Sequence, residues 1–541
     1  MRLNIYKLGL FCAGILCLLG LSCTKETKTF GEPYPDGKPA LGIVIDRAKL
    51  PSPASGLPGT EVTVKATGLM AYRDQLVFRF NGEQAQIKNV TDEEITVIVP
   101  DYASTGITSI SVDDVVVFGP EFNVDGRIKI DPTFVATQGA NGSVGDILFT
   151  DNGKMIIVGG FTNFNNKGII KPINRIARTF LDGTYDSGLK SGTGANGYLS
   201  AIIQVNDKYY IGGSFSGYAQ RNSNISNLTM LNNNGSIDTM GIHTWRRPDQ
   251  ADTIQYFPRF NAGFDGGGVN RIYNHNGKLL VTGGFRYFVT RQYDKANKYE
   301  TRDTVILDST EVRQIALLNL DGTLDKSYRF DMGTNKSPTA GNGSIDTYYH
   351  PEGALKGKLV VFGNFDRFDG SPAGFITRLN ADGTIDQTFN AGGAGFDYLL
   401  YWVNFNEKTQ KYVVCGNFRT YNGQSRVALA MLNADGSLDE NFQPKIFENG
   451  LPRFVKQLDD GLIVVAGSFL KYDGKVRNRF MVLNPDGTLA PGYNAVGSFM
   501  GDVYNVFETE SADNKRALMV IGSFWQFNSE DKNNIVRLLI E

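Results

Sequence analysis

Aromatic and charged side chains are concentrated in two long segments of the chain, residues 239–269 and 286–312. Flat indole and phenol rings can cover the apolar C–H faces of a sugar, while arginine and aspartate form hydrogen bonds with its hydroxyl groups. The alternative is that these rings only pack the segments onto the fold beneath them, and both interpretations stay open at each residue. Together with one tryptophan near the carboxyl terminus, the candidate ligand-binding residues are Trp245, Arg246, Arg247, Tyr256, Tyr287, Arg291, Tyr293, Tyr299 and Trp525.

The sequence contains no recognisable catalytic or metal-binding constellation. His243, His275 and His350 lack the spacing of metal ligands. Neither a Gly-x-Ser-x-Gly elbow nor a Walker-type phosphate loop is present. We therefore predict no catalytic residue, no bound metal and no cofactor. A carboxylate pair for glycoside hydrolysis is the alternative, with Asp249 and Asp303 as the first candidates.

The elements that position the two segments come from a phrase that occurs seven times. Each copy has an apolar strand ending in Gly-x-Phe, a second strand, and a tight Asp-Gly or Asn-Gly turn that supplies the positive φ of a short hairpin. Spacings of about 51 to 80 residues are typical of β-propeller blades. The phenylalanines are Phe161, Phe215, Phe285, Phe365, Phe418, Phe469 and Phe524. The turns begin at Asp125, Asp182, Asn234, Asp321, Asp382, Asp435 and Asp486.

Two of these phrases, at residues 378–386 and 432–439, resemble the delta-60 repeat family. The resemblance runs from about residue 125 to the end of the chain. It implies the propeller blades of bacterial surface proteins and carries no assigned activity. Within the repeats, we interpret the aspartates of Asp-Gly-x-x-Asp as turn caps. We expect the aromatic residue three positions after each Gly-x-Phe to pack between blades.

The predicted fold class is all-β, with residues 125–541 forming a seven-bladed β-propeller. The chain stops after the third strand of its last unit, and residues 127–134 can supply the missing fourth strand. Pairing of the first and last strands would close the ring and remove open sheet edges. Both long segments are insertions on one face of such a ring. Because the small domain joins at residues 123–127, on the tight-turn face, we expect it to lie on the opposite side.

The amino terminus predicts a lipid anchor. Residues 1–22 combine a charged start with a short apolar run, as a secretory signal peptide does. Cys23 follows the small residue Ser22, which resembles a bacterial lipobox and implies lipidation of Cys23. Residues 23–40 are polar, rich in glycine and proline, and indicate a flexible tether. An uncleaved signal anchor is the alternative.

Residues 41–124 predict a small antiparallel sandwich, because short strands of alternating polarity are separated by turn signals. The phrases at residues 53–60, 80–82, 90–92 and 97–100 resemble the IPT/TIG family of immunoglobulin-like domains. That resemblance implies a spacer or docking module on a cell surface and transfers no catalytic residue. Ligand binding by this domain is the alternative.

The chain has 541 residues, a formal net charge of −2 and 20% charged residues. Without a basic excess, a nucleic-acid partner is not expected. The order of anchor, immunoglobulin-like domain and propeller resembles accessory lipoproteins of Bacteroidota-type polysaccharide-uptake systems. The resemblance implies a cell-surface protein, lipid-anchored in the outer membrane beside a transporter complex, that binds polysaccharide or oligosaccharide without cleaving it. A protein-interaction or adhesion propeller and a glycoside-active enzyme are the alternatives.

Overall fold

The computed structural model describes residues 41–219, 224–245, 249, 251, 253–295, 301 and 305–541. Among these residues, strands account for the regular structure apart from one short 3₁₀ helix, Met70–Tyr72. The all-β prediction is confirmed. The predicted signal peptide, Cys23 and the tether lie outside the described residues.

Residues 41–124 form two sheets that enclose one hydrophobic core. The four-stranded sheet has the order Val44–Ile45, Glu61–Thr67, Glu94–Ile98 and Gln86–Val90. The five-stranded sheet has the order Ser55–Gly56, Val115–Val124, Gly106–Val112, Val77–Phe80 and Glu83–Gln84. Alternate residues face inward, so that Val62, Val64 and Ala66 are buried on one strand. The core therefore follows from the period-two pattern of these strands.

In the described part of residues 125–541, seven antiparallel sheets repeat one pattern. The first strands are Val144–Thr150, Tyr198–Val205, Val269–His275, Ser344–Tyr349, Leu400–Asn406, Pro452–Gln457 and Met500–Glu510. The second strands are Lys154–Gly159, Lys208–Ser214, Lys278–Gly283, Leu359–Asn364, Lys411–Gly416, Ile463–Gly467 and Arg516–Phe527. The third strands are Ile176–Phe180, Leu228–Asn232, Ile315–Leu318, Ile376–Leu379, Leu429–Asn433, Phe480–Leu483 and Ile535–Ile540.

Shorter strands extend the connections between these main strands. The first insertion forms the hairpin Thr239–Thr244 and Thr253–Pro258. Two strands of the second insertion, Tyr287–Gln292 and Ile306–Glu311, form a three-stranded sheet with Gly263–Asp265 of the first insertion. The remaining short strands are Arg367–Phe368, Ser371–Pro372, Thr420–Tyr421, Gln424–Ser425, Phe447–Glu448, Lys471–Tyr472, Lys475–Val476 and Glu530–Asp531.

The seven sheets pack face to face in a closed circle. One hydrophobic cluster lies between each neighbouring pair of sheets, including the pair formed by the seventh and the first. All seven phenylalanines of the Gly-x-Phe phrases are buried in the fold. The aromatic residues three positions later belong to these clusters, which confirms that they pack between sheets.

Close backbone approach explains the glycine of Gly-x-Phe. A Cβ atom at Gly159 would lie 2.1 Å from the carbonyl oxygen of Ser143, and one at Gly213 would lie 2.0 Å from that of Tyr198. In the other five sheets, the equivalent glycine meets a carbonyl at the start of the first strand at 2.1 to 2.4 Å. Any side chain there would push the first and second strands apart.

The aspartates of the repeated turns cap the backbone as predicted. Asp382 Oδ1 accepts a hydrogen bond from the Thr384 N–H at 3.0 Å. The second aspartate, Asp386, has a further role that the sequence did not reveal. Its Oδ2 atom lies 2.7 Å from Arg378 Nε and 2.6 Å from Lys358 Nζ, and so ties the segment after the turn to the third strand and to the start of the second.

The first and last parts of the propeller region meet in the seventh sheet. Ile128–Ile130 pairs antiparallel with Ile535–Ile540, which is the predicted pairing of the first and last strands. Next to this ladder, Asp131 Oδ2 lies 2.5 Å from Arg537 Nε, and both side chains are buried. The ion pair repeats, across the closure, the Asp386–Arg378 contact made within the fourth sheet.

The small domain contacts the ring on a side that we did not expect. Arg477 follows the hairpin between the second and third strands of the sixth sheet, and its Nη1 donates to the Tyr102 carbonyl at 3.1 Å. The Thr105 N–H donates to the Ala495 carbonyl, between the sixth and seventh sheets, at 2.9 Å. The first insertion lies in a connection between two sheets, as Ala495 does. The second insertion lies in a connection between a second and a third strand, as Arg477 does. The prediction that the small domain and the insertions occupy opposite faces is therefore wrong, because this buried contact draws the domain onto the same set of connections.

Candidate functional site

The first strands of the seven sheets surround a cavity of about 430 Å³, which we call the central channel. Every sheet contributes to its wall. One wall residue from each sheet, in order, is Asp146, Ala201, Arg271, Tyr348, Trp402, Lys456 and Asn505.

A β-bulge reorients the side chains at one end of the channel. Six of the seven first strands shift register near their start, for example between Val144 and Asp146 and between Val269 and Arg271. Bulges bend a strand and re-aim the residues that follow them. This end, which we call the channel mouth, lies beside the Gly-x-Phe phrases and the insertion-bearing connections.

Arg271 is held at the mouth between a carboxylate and an indole ring. Its Nε and Nη2 atoms each lie 3.1 Å from an oxygen of Asp346. Its Cζ atom lies 5.0 Å from the ring centroid of Trp402, which is half-buried. Burial would lower the pKa of Arg271, but the neighbouring Asp346 outweighs it and raises that pKa. The guanidinium therefore stays charged and fixed in orientation.

Asp146 lies at the same level of the mouth. Its carboxylate accepts hydrogen bonds from the Ile147 N–H at 2.9 Å and from the Ile202 N–H, on the next sheet, at 3.1 Å. Burial raises the pKa of Asp146 to about 6, although these bonds and the charge of Arg271 oppose the change. Asp146 therefore changes its charge near neutral pH.

A tyrosine ring completes the mouth. A Cβ atom at Gly145 would lie 2.8 Å from the Tyr198 hydroxyl oxygen, so glycine allows the ring to approach the first bulge. Burial, together with Tyr504, raises the pKa of Tyr198 to about 12. Two aromatic rings, a carboxylate and an oriented guanidinium thus meet at one opening, and this combination can stack on a ligand and form hydrogen bonds with it.

Deeper in the channel, polar side chains join neighbouring first strands. The donors are the Tyr273 hydroxyl to the Thr347 carbonyl at 2.7 Å, the Tyr348 hydroxyl to the Phe405 carbonyl at 3.1 Å, and Lys456 Nζ to the Val506 carbonyl at 2.7 Å. Burial lowers the pKa of Lys456. These bonds fix the orientation of the three side chains, and they use part of the hydrogen-bonding capacity of these donors.

The far end of the channel contains buried acceptor atoms. Asn404 Oδ1 and Glu407 Oε1 have no hydrogen-bond partner among the described residues. His350 is fully buried behind them, with Nε2 2.8 Å from the Tyr412 hydroxyl and Nδ1 3.7 Å from Glu407 Oε1. Burial, reinforced by two nearby cationic side chains, lowers the pKa of His350 to about 3, so its ring is neutral at physiological pH.

The structure places two predicted ligand-binding residues in packing roles. Arg291 is buried, and its Nη2 donates to Ser226 Oγ at 2.7 Å. Tyr293 is also buried and stacks on Phe257 with 4.4 Å between ring centroids. The contact joins the two insertions side by side. These side chains hold the insertions on the ring, which favours the packing interpretation at both residues.

The other predicted residues have different environments. Tyr256 and Trp525 are 52% and 59% exposed, on the first insertion and the seventh sheet respectively. Trp245 and Tyr287 are half-buried, and Arg286 lies over the Tyr287 ring at 5.4 Å. Arg246, Arg247 and Tyr299 lie outside the described residues. None of the six candidates among the described residues belongs to the wall of the central channel.

Sequence reasoning missed the channel because most of its residues occur within strands and not in long loops. Asp146, Arg271 and Lys456 interrupt first strands that otherwise resemble buried ones. A charged residue in the first strand of a propeller unit is the signal that could have identified the wall.

The described residues contain no group of three or more His, Cys, Asp or Glu side chains placed to hold a metal ion. They also contain no helix with the length and apolarity to cross a membrane. Asp249, a candidate for hydrolysis, is exposed in the first insertion, and Asp303 lies outside the described residues.

Two family models match parts of the chain. Residues 20–120 match a domain of unknown function, DUF5008. Residues 357–389, 411–442 and 458–492 match DUF5122, a domain of unknown function described as a β-propeller. The chain therefore contains a β-propeller domain. No curated protein matches it.

Solved structures resemble the chain at low identity. The WD40 β-propeller domain of Doa1 has 12% identity and a TM-score of 0.41, covering 76% of this chain and 96% of that one. An auxiliary nutrient binding protein from Bacteroides ovatus has 12% identity and a TM-score of 0.31, covering 92% and 99%. Another from Bacteroides thetaiotaomicron has 12% identity and a TM-score of 0.21, covering 78% and 96%. Likenesses of this size carry no functional argument.

Proposed function

We propose that this protein binds glycan at a bacterial cell surface without cleaving it, and that the mouth of the central channel is the binding site. One observation carries the proposal: Trp402, Asp146 and Arg271 line the cavity at one opening, with Tyr198 beside Asp146 and Arg271. Aromatic faces suit the apolar side of a sugar ring, and the charged groups suit its hydroxyls. The cavity of about 430 Å³ is in the range of small-ligand sites in proteins.

In this proposal the seven sheets are the blades of a closed propeller. Residues 41–124 are an immunoglobulin-like domain of the IPT/TIG type, Cys23 carries lipid in the outer membrane, and residues 23–40 are the tether. The captured polysaccharide or oligosaccharide passes to an outer-membrane transporter complex. The β-propeller match and the closed packing of the sheets support the architecture. The membrane attachment rests on the sequence pattern around Cys23.

Affinity electrophoresis tests the proposal. The chain from residue 24 onward, which retains every described residue, is run through native gels that each contain one neutral or acidic polysaccharide. We expect at least one polysaccharide to retard the protein, and Trp402→Ala to abolish the retardation. The matched control is Trp525→Ala, which removes an exposed tryptophan that is not part of the channel wall and leaves retardation unchanged.

Other outcomes identify the alternatives. Retardation that survives Trp402→Ala but is lost in Trp525→Ala or Tyr256→Ala would move the site to the outer surface of the ring. No retardation across a broad panel would favour a protein-interaction propeller. Release of reducing ends from any polysaccharide would favour a glycoside-active enzyme.

A further inference from the structure

Four side chains of the channel wall already donate hydrogen bonds to other groups of the protein. Arg271 donates through two nitrogens to Asp346, and Lys456 donates to the Val506 carbonyl. The hydroxyls of Tyr273 and Tyr348 donate to carbonyl groups of the neighbouring sheets. These bonds reduce the number of donors that remain for a ligand's acceptors.

Two hydrogen-bond acceptors on side chains of the channel wall, in contrast, have no partner in the described part of the chain. Asn404 Oδ1 and Glu407 Oε1 are buried and have no partner among the described residues. Both atoms are shielded from solvent, although their side chains line the channel. A rotation that turns either oxygen toward the channel would let a ligand hydroxyl or amine group satisfy it.

The charge of the wall points the same way. Five carboxylates line the channel: Asp146, Glu352, Glu407, Asp459 and Glu508. Lys408 forms an ion pair with Asp459 at 2.7 Å, and Arg516 forms one with Glu508 at 3.0 Å. Among the described residues, Asp146, Glu352 and Glu407 form no ion pair within hydrogen-bond distance that would neutralise them. Of the cations in the wall, Arg271 pairs with Asp346, and Lys456 has no described acidic partner at that distance. The wall is therefore net negative.

A second cation near the mouth, in addition to Arg271, does not reverse the negative charge of the wall. Arg453 is exposed at the bulge of the sixth first strand and lies over the Tyr401 ring at 5.2 Å, outside the cavity wall. A narrow space with low-dielectric walls of one sign concentrates counter-ions and repels ions of the same sign.

We infer that the central channel selects against anions, so that the sugar unit it takes carries hydroxyl or amine groups and no carboxylate or sulfate. This inference rests on the proposed function for the identity of the ligand, but the charge selectivity of the channel stands on the wall alone. Glu407 and Asp146 are the residues that set it.

Collisional quenching of tryptophan fluorescence tests the selectivity without a known ligand. The chain has three tryptophans, so Trp245→Phe with Trp525→Phe leaves only Trp402 in the channel. The matched control, Trp245→Phe with Trp402→Phe, leaves only the exposed Trp525. Each protein is titrated with neutral acrylamide, iodide and caesium.

We expect acrylamide to quench both tryptophans, and the iodide-to-caesium ratio of quenching constants to be at least about fivefold lower for Trp402 than for Trp525. Adding Asp146→Asn or Glu407→Gln should raise the ratio at Trp402. Equal ratios at the two tryptophans would overturn the inference. Failure of acrylamide to reach Trp402 would overturn it as well, because the channel would then be closed to solutes.

The polysaccharide gels separate this inference from the proposed function. Retardation by a uronate polymer such as polygalacturonate, lost in Trp402→Ala, would overturn the inference and leave glycan binding in place. Iodide exclusion without retardation by any polysaccharide would overturn glycan binding and leave the selectivity in place.

Discussion

Trp402 in the central channel and Tyr293 in the second insertion are both aromatic residues, but their surroundings differ. Trp402 is half-buried, faces a cavity and has a guanidinium over its ring. Tyr293 is buried, stacks on Phe257 and leaves its hydroxyl without a partner among the described residues. The insertions use aromatic residues to attach themselves to the ring, whereas the channel keeps some available to a ligand. An aromatic residue in a long loop is therefore weak evidence for a binding site.

The largest expected difference between ring and insertions concerns stability. Arg537→Met leaves Asp131 buried without its partner and should destabilise the protein by about 3–5 kcal/mol. Arg259→Met, at the base of the first insertion, breaks an exposed pair with Asp238 and should cost less than about 1 kcal/mol. Urea unfolding at pH 7.5 measures both. Similar losses in the two variants would show that ring closure does not depend on the buried pair.

The pH dependence of stability should reveal His350, behind the channel wall. Its folded pKa of about 3 lies below the ordinary 6.5, so the unfolded chain takes up a proton first as the pH falls. Folding should therefore lose about 2 kcal/mol between pH 7 and pH 5. His350→Gln should remove most of this loss, while at pH 8 the two proteins differ only through packing. Parallel profiles from pH 8 to pH 5 would contradict a neutral buried ring.

Asp146 should show the opposite dependence. The pKa of Asp146 in the folded protein is about 6, above its ordinary 3.8. Ionisation therefore lowers the free energy of unfolding as the pH rises from about 4 to 6, and this loss of stability remains at higher pH. Asp146→Asn cannot ionise. Relative to the unsubstituted protein, its free energy of unfolding should improve by about 1–3 kcal/mol between pH 4 and pH 7. A constant difference across this range would show that Asp146 ionises as it does in the unfolded chain.

The smallest expected effects are in the insertions. Tyr293→Phe removes a buried hydroxyl that has no partner, and should be neutral or stabilising by up to about 1 kcal/mol. Tyr256→Ala removes an exposed ring and should change stability by no more than about 0.5 kcal/mol. Thermal unfolding measures the first effect and urea unfolding the second. Loss of polysaccharide retardation in either variant would return the binding site to the insertions.

Local patterns predicted much of the fold. The Gly-x-Phe glycines recur because the first strand approaches closely, and the turn aspartates recur because their carboxylates cap the hairpins. The entry of residues 128–130 into the last sheet followed from a missing fourth strand. The candidate site was not predictable in the same way. Arg271 and Trp402 belong to the third and fifth sheets, and nothing in their spacing shows that they meet.

The sequence by itself determined the all-β class and the repeated unit, because both depend on contacts within or between adjacent phrases. It also indicated the exchange of the first strand into the last sheet, because the last phrase lacks a strand that residues 128–130 supply. Only the tertiary structure decided which polar residues line a channel, which aromatic residues of the insertions are buried, and which connections the small domain contacts. Those properties depend on how sheets far apart in the chain face one another across the ring. A one-dimensional pattern does not contain that relation.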